Sequence, residues 1–294
     1  VPATALYGIF SFEFLASLEA VPAFDSFPRL EDDFVFYFPE HFFVVDNRSG
    51  RLFRGVHVLP RHGESLDETR LRAKSQIAEY IPPAPVPFVP LSGERRVKAS
   101  LDMEAYVSRV AQAKKHLVAG DIFQVQISRT QSLPLARSPF ATYRRLKQGN
   151  PSPFQIYFNL GEEGTLFGCS PELALHVRAP DAGGSREVSI HPIAGTAPVG
   201  RPGDDRFTAA LQTNTKELAE HMMLLDLARN DVAKISVPGT LQVRSLMELH
   251  KYSHVQQMVS AVHGTLAPDL DALLAVAATG NMGTLSGAPK CRAT

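Results

Sequence analysis

The stretch Thr215–Asp231, TKELAEHMMLLDLARND, places the tightest constraint on how this chain can fold. Its spacing predicts a helix. Leu218, Met222, Met223, Leu224, Leu225, Leu227 and Ala228 leave it apolar on most sides, as a buried helix would be. Yet Glu217, Glu220, His221 and Asp226 lie in the same turns, and Glu217 and Glu220, three apart, are neighbours on the helix surface. A carboxylate removed from water is costly unless it is paired or holds a metal. Two arrangements meet that demand. The acids can cap the helix N-terminus and pair with Arg229 or other cations. Alternatively, one acid can face a cavity and hold a divalent cation through oxygen. The helix alone leaves both open.

The chain around it has 294 residues, enough for two lobes or one large α/β domain. Thirty basic residues cancel thirty acidic ones, so no net field steers it toward nucleic acid or an anionic membrane. Cys169 and Cys291 have no metal or redox spacing, which fits a reducing, cytoplasmic setting. Neither an 18-residue apolar run nor a signal pattern is present, so a soluble protein is expected. The chain opens in a strand at VPATALYGIF and stops at GAPKCRAT without a closing element, and it reads as an internal piece of something longer.

Residues 7 to 59 read as strands: YGIFSFEFL, DFVFYF, HFFVVD, then RLFRGVHVL after a turn at Asn47-Arg48-Ser49-Gly50. A polar helix follows at about 64 to 80, then the proline-rich IPPAPVPFVP, residues 81 to 90, an extended spacer and candidate boundary. Asp102 caps a helix ended by Gly120. DIFQVQISRT reads as a strand with Gln124, Gln126 and Ser128 on one face. A short helix is expected at 139 to 147, strands at 164 to 177 and 186 to 196, further strands after the acid-bearing helix, and a helix at 269 to 278. The fold class is α+β, rich in antiparallel strands.

Several segments carry more polar chemistry than packing needs. SPE places Glu172 at a strand end, where a plain turn acid would also sit. PIAGT ends a strand in Gly195 and Thr196, a turn whose backbone N–H groups can meet a carboxylate. GTLSGAPK resembles an anion-binding loop but lacks phosphate-loop spacing. Taken in order, DIFQVQISR, NPSPF, CSPE, PIAGT, KELAEHMMLLDLARNDV and GTLSGAPK closely resemble the chorismate-utilising enzymes, in particular the large subunits of anthranilate synthases.

That resemblance implies a two-lobed fold with a β-sandwich-like core, helices outside and its C-terminal part missing. It divides the chain into an N-terminal region, 1 to 90, and a chorismate-binding catalytic domain, 91 to 294. It implies Mg²⁺-dependent conversion of chorismate to anthranilate and pyruvate, with ammonia supplied by a glutamine amidotransferase partner. Glu172 then matches the acid that protonates the departing hydroxyl. Glu220 matches a metal ligand, with Glu217 supporting it from behind. Gln124 stands where relatives that add water carry a lysine base; ammonia needs no such base. Ala194 stands where the para-aminobenzoate branch commonly has lysine. Gly195, Thr196 and Thr284 match substrate-contacting positions. Pro151, Ser152 and Pro153 match part of a feedback site for L-tryptophan.

The chain departs from the family pattern at two described places. Gln257 replaces a histidine expected to assist pyruvate elimination. His254 falls on the opposite strand face and His263 lies roughly 20 Å along, so neither substitutes. Ala197 and Val199 replace arginines. A 2-amino-2-deoxyisochorismate synthase, a non-catalytic chorismate-binding remnant and a plain structural β module are the alternative readings.

Overall fold

The computed structural model describes residues 6–18, 33–81, 96–201, 205–281 and 283–293. The chain divides into two units, Val1–Pro87 and Phe88–Thr294. In the first, β1 (Tyr7–Phe10) pairs antiparallel with β2 (Phe34–Tyr37). The expected strand YGIFSFEFL stops at Phe10. Ser11 accepts the Phe14 N–H through both its hydroxyl and its carbonyl, which winds Phe12–Ser17 into a 3-10 turn. β3 (His41–Asp46) and β4 (Arg51–Val56) form the expected hairpin. Its turn is closed by Asp46, which accepts from the Arg48 N–H at 2.9 Å and the Ser49 hydroxyl, and by Gly50 at φ 67°. α1 (Leu66–Glu79) starts at a Ser65–Glu68 capping box. Of the proline-rich spacer only Ile81 lies within the described residues.

The second unit contains, in order, β5 (Lys98–Ala99), α2 (Met103–Ala119), β6 (Gln124–Val125), β7 (Gln131–Ser132), α3 (Pro139–Gly149), β8 (Phe154–Asn159), β9 (Thr165–Ser170), β10 (Leu173–Val177), β11 (Glu187–His191), β12 (Ile193–Pro198), α4 (Arg206–Thr213), α5 (Thr215–Ile235), β13 (Gln242–Lys251), β14 (Val255–Thr265), α6 (Ala272–Thr279), β15 (Gly287–Ala288) and α7 (Lys290–Ala293). Asp102 and a left-handed Gly120 close the ends of α2, as their residue types require.

The largest sheet is built around β14. One edge of that strand carries β13; the other carries β11 and β12 end to end, with β10 outside β11, all antiparallel. Two prolines divide segments that read as single strands. Pro171 separates β9 from β10, and Pro192 separates β11 from β12, because proline has no N–H to give a ladder. The Pro192 carbonyl still accepts the Ser260 N–H at 3.1 Å, so β14 continues past the break.

α5 lies on this sheet through a single stripe, His221, Leu224, Leu225, Ala228, Asp231, Val232 and Ile235, at helical spacing. Leu225, Ala228, Val232 and Ile235 share a core with Val188, Ile190, Val262 and Leu266. The expectation of a helix apolar on most sides is corrected here. Met222 is 49% exposed, and Asp226 points outward to pair with Arg229 at 3.0 Å. Helix and sheet meet most closely at Gly264, where an added Cβ would lie 2.2 Å from Ser236 Oγ and 2.9 Å from Val232 Cγ1. Gly264→Ala should therefore force α5 off β14 and cost about 1–3 kcal/mol. Urea unfolding checks this, and an unchanged midpoint would show that the contact yields freely.

Candidate functional site

The register of α5 is fixed by a buried polar contact. His221 has no exposed surface, and its Nε2 lies 2.7 Å from Ser260 Oγ on β14. That hydroxyl also accepts the Met247 N–H at 2.9 Å, at an irregularity of β13 where Met247 has φ 52°. Burial pushes the His221 pKa down, which favours a neutral imidazole at this position. With His221 pointing into the sheet, the flanking acids come out at its margin.

Glu217 and Glu220 are both partly exposed there, at 22% and 31% of their side chains. The Lys216 ammonium sits 3.1 Å from Glu217 and 3.5 Å from Glu220, and the two acids raise its pKa. Gln124 Nε2 donates to Glu220 Oε1 at 3.4 Å. Gln124 is held in place because β6 ladders with β15, Gln124 opposite Ala288 and Val125 opposite Gly287. The paired part of DIFQVQISRT is short: Gln124 and Val125 form the two-residue strand, and the Phe123 and Gln126 N–H groups extend its bonds to the Ala288 and Ser286 carbonyls.

PIAGT does not end a strand. Gly195 lies inside β12 as a bulge, at φ 76°, between the pairs Ala194–Met258 and Thr196–Gln257. A Cβ there would come within 2.6 Å of Met258 Cε and 3.1 Å of Leu211 Cδ1, so glycine keeps the bulge clear of the neighbouring strand and of α4, with Glu217 Cβ at an ordinary 3.6 Å. Across the ladder Gln257 Nε2 donates to Thr196 Oγ1 at 3.1 Å, while its Oε1 is buried and unpartnered.

Glu172 lies between β9 and β10, with its N–H on Ser170 Oγ at 3.2 Å. It lines a cavity of about 20 Å³, together with Thr284, Gly283, Asp231, Leu224 and Leu227. Burial raises its pKa above the ordinary carboxyl value, and the Thr284 hydroxyl beside it opposes part of that rise. Asp231 and Lys290 escaped the sequence reading. Their side chains, 4% and 10% exposed, pair at 2.5 Å. The signal was available: Asp231 continues the stripe of residues 221, 224, 225 and 228, where an acid must find a partner.

α5 thus gathers two groups: Gln124, Glu220, Glu217 and Gly195 near its N-terminus, and Glu172 with Thr284 beside its third and fourth turns. Thr196 and Gln257 adjoin the first group through Gly195. Pro151–Ser152–Pro153 stand apart, between α3 and β8. Ser152 bonds only to the Asn150 carbonyl at 3.4 Å, and His254 Nε2 lies 2.5 Å from the nearby Gly149 carbonyl. His254 therefore precedes β14 instead of facing Gln257, and His263 lies farther along the strand beside Glu187, at 3.5 Å.

The donor set suits a hard divalent ion. Glu220 offers carboxylate oxygens to a cation, with Glu217 beside it and the Lys216 ammonium against both. Among the described residues no cluster of three or more His, Cys, Asp or Glu side chains could hold a metal. One or two carboxylates are what Mg²⁺ usually takes from a protein, so the pair fits it.

The family model for chorismate binding enzymes matches residues 1–294. The chain belongs to that family. It is 40% identical over 297 residues to anthranilate synthase component 1 of Salmonella typhimurium, covering 97% of this chain and 55% of that protein. The pyocyanine-specific anthranilate synthase component 1 of Pseudomonas aeruginosa is 40% identical over 300 residues, covering 98% and 55%. The crystal structure of anthranilate synthase component I from Streptococcus pneumoniae superposes with a TM-score of 0.79 at 29% identity, over 100% of this chain and 64% of that one. The chain spans about half the length of the curated relatives it matches. The α+β fold expected from sequence is the one these relatives share. Among the described residues no helix is long and apolar enough to cross a membrane.

The raised pKa of Glu172 has a stability consequence. Its ionisation is harder in the folded state, so the wild-type side chain loses stability relative to a neutral one as pH rises above the ordinary glutamate pKa of 4.5. Glu172→Gln should match the parent melting temperature near pH 4 and exceed it near pH 8. Thermal unfolding at both pH values checks this; a Gln variant less stable at pH 8 would mean that the carboxylate is favourably paired there.

Proposed function

We propose that this chain carries the chorismate-binding site of an anthranilate synthase large subunit, which converts chorismate and ammonia to anthranilate and pyruvate. The observation that carries this reading is Gln124, a neutral amide on the acid Glu220, in a chain 40% identical to anthranilate synthase component 1. A base at this position would be needed to activate water. Ammonia already has a lone pair, and an amide can orient it without removing a proton.

In this reading ammonia forms the new C–N bond at C2 of chorismate while the C4–O bond breaks. Glu172 gives its proton to the departing hydroxyl, which leaves as water; its burial beside Leu224 and Leu227 keeps the carboxyl protonated at a higher pH than in water. Glu220, supported by Glu217, would hold Mg²⁺, which supplies positive charge against the ring carboxylate. Gly195 and Thr196 contact that carboxylate, and Thr284 orients the acid. Ammonia comes from a glutamine amidotransferase subunit. Pro151, Ser152 and Pro153 belong to an L-tryptophan feedback site.

Gln257 favours a second reading. Its amide is spent on Thr196 and cannot take up a proton as an imidazole does, so the reaction can halt at 2-amino-2-deoxyisochorismate. The intact enzyme should be given chorismate, Mg²⁺ and ammonium while chorismate loss and anthranilate fluorescence are followed together. Matched loss and fluorescence are expected, with Glu172→Gln slower by about 10²–10⁴-fold. Loss without fluorescence, restored by Gln257→His, would establish the amino adduct as product. No loss would leave a chorismate-binding protein without turnover.

A further inference from the structure

The segment GTLSGAPK is fastened to α5 at both ends. At one end Gly283 packs so closely on the helix that a Cβ would lie 2.6 Å from Leu227 Cδ1 and 3.0 Å from the Gly287 carbonyl. At the other, the Lys290 ammonium meets Asp231, both side chains almost fully buried. Between these points the segment does two separate things. Thr284 lines the same cavity as Glu172, and its hydroxyl opposes the rise in the Glu172 pKa. Ser286 to Ala288 ladder with the strand that carries Gln124, the Gln126 N–H reaching the Ser286 carbonyl at 2.9 Å and the Phe123 N–H the Ala288 carbonyl at 2.7 Å.

A buried ion pair is a poor way to gain stability, because apolar side chains of similar volume commonly do as well. Its distinctive property is direction: an ammonium fixes the position of its acceptor, which a methyl contact does not. Asp231 also lines the cavity shared by Glu172 and Thr284. We propose that Asp231 and Lys290 are positioning residues, a latch that holds residues 283–290 so that Thr284 reaches Glu172 while Gln124 reaches Glu220. The link to catalysis rests on the reading of Glu172 as the acid; the latch itself does not.

The charged groups around Glu172 limit how a change there can be read. Its cavity has Asp231 from α5, and behind Asp231 stand Lys290 and Lys234, the latter at 3.7 Å; the residues contributed by β10, β11 and Pro192 are uncharged. The test is a double-mutant cycle read on the Glu172 carboxyl, by carbon-13 NMR titration of the glutamate-labelled full chain. Thr284→Val should move the Glu172 midpoint upward by removing the hydroxyl that opposes its rise. Lys290→Met should move it by the same amount, and Thr284→Val with Lys290→Met no further than either alone. The pair Asp231→Asn with Lys290→Met keeps the shape without either charge. It should reproduce the Lys290→Met shift, and it carries the test if Lys290→Met alone fails to fold. Additive shifts, or a midpoint unmoved by the Asp231→Asn, Lys290→Met pair, would overturn the latch. Failure of the acid assignment would look different: Glu172→Gln would retain turnover while the cycle stayed non-additive.

Discussion

The seating of α5 on β14 governs everything else in the second unit. It joins close apolar packing, Val232 and Ile235 under the strand, to one buried polar peg, His221 on Ser260. Apolar stripes can slide or rotate by a residue at modest cost. A buried imidazole cannot, because losing its hydroxyl partner strands a polar group inside the core. The peg therefore decides which side chains of α5 look outward, and the two acids next to it, Glu217 and Glu220, follow. Gly264 is the complementary requirement on the sheet side, since it removes the Cβ that would hold helix and strand apart.

Much of this was legible in the sequence, for physical reasons that differ from place to place. Asp102 and Gly120 at the ends of α2 and the Asn47–Gly50 turn are local chemistry, decided within a few residues. The ordered motifs identified the family, which the whole-chain match bears out. Local reading failed where tertiary contacts intervene. FEFLAS alternates like a strand, yet Ser11 turns it into a 3-10 segment. PIAGT looks like a turn because glycine usually marks one; here it is a bulge that only the approach of Met258 and Leu211 explains. Asp231 reads as one more charge in a charged motif until the 59-residue separation to Lys290 is closed by the fold.

The candidate site contains three ways of treating a carboxylate. Asp226 stays in water with Arg229 beside it. Asp231 is buried and matched by a lysine. Glu172 is half-buried with only a hydroxyl for company, so its pKa rises. Burial raises the pKa of both buried acids, but Asp231 has a lysine ammonium against it and Glu172 has none, and that difference marks Glu172 as the candidate acid. Glu217 and Glu220 stand partly exposed at the helix margin, both beside the Lys216 ammonium.

The proposed function makes Glu220, supported by Glu217 and beside Gln124, a divalent-ion ligand. Manganese in place of magnesium tests it directly by NMR, since the paramagnetic ion broadens nearby resonances. The account predicts that the Gln124 side-chain amide broadens at low Mn²⁺ and that Glu220→Gln abolishes the effect. A sharp Gln124 signal, or equal broadening with Glu220 replaced, would contradict it.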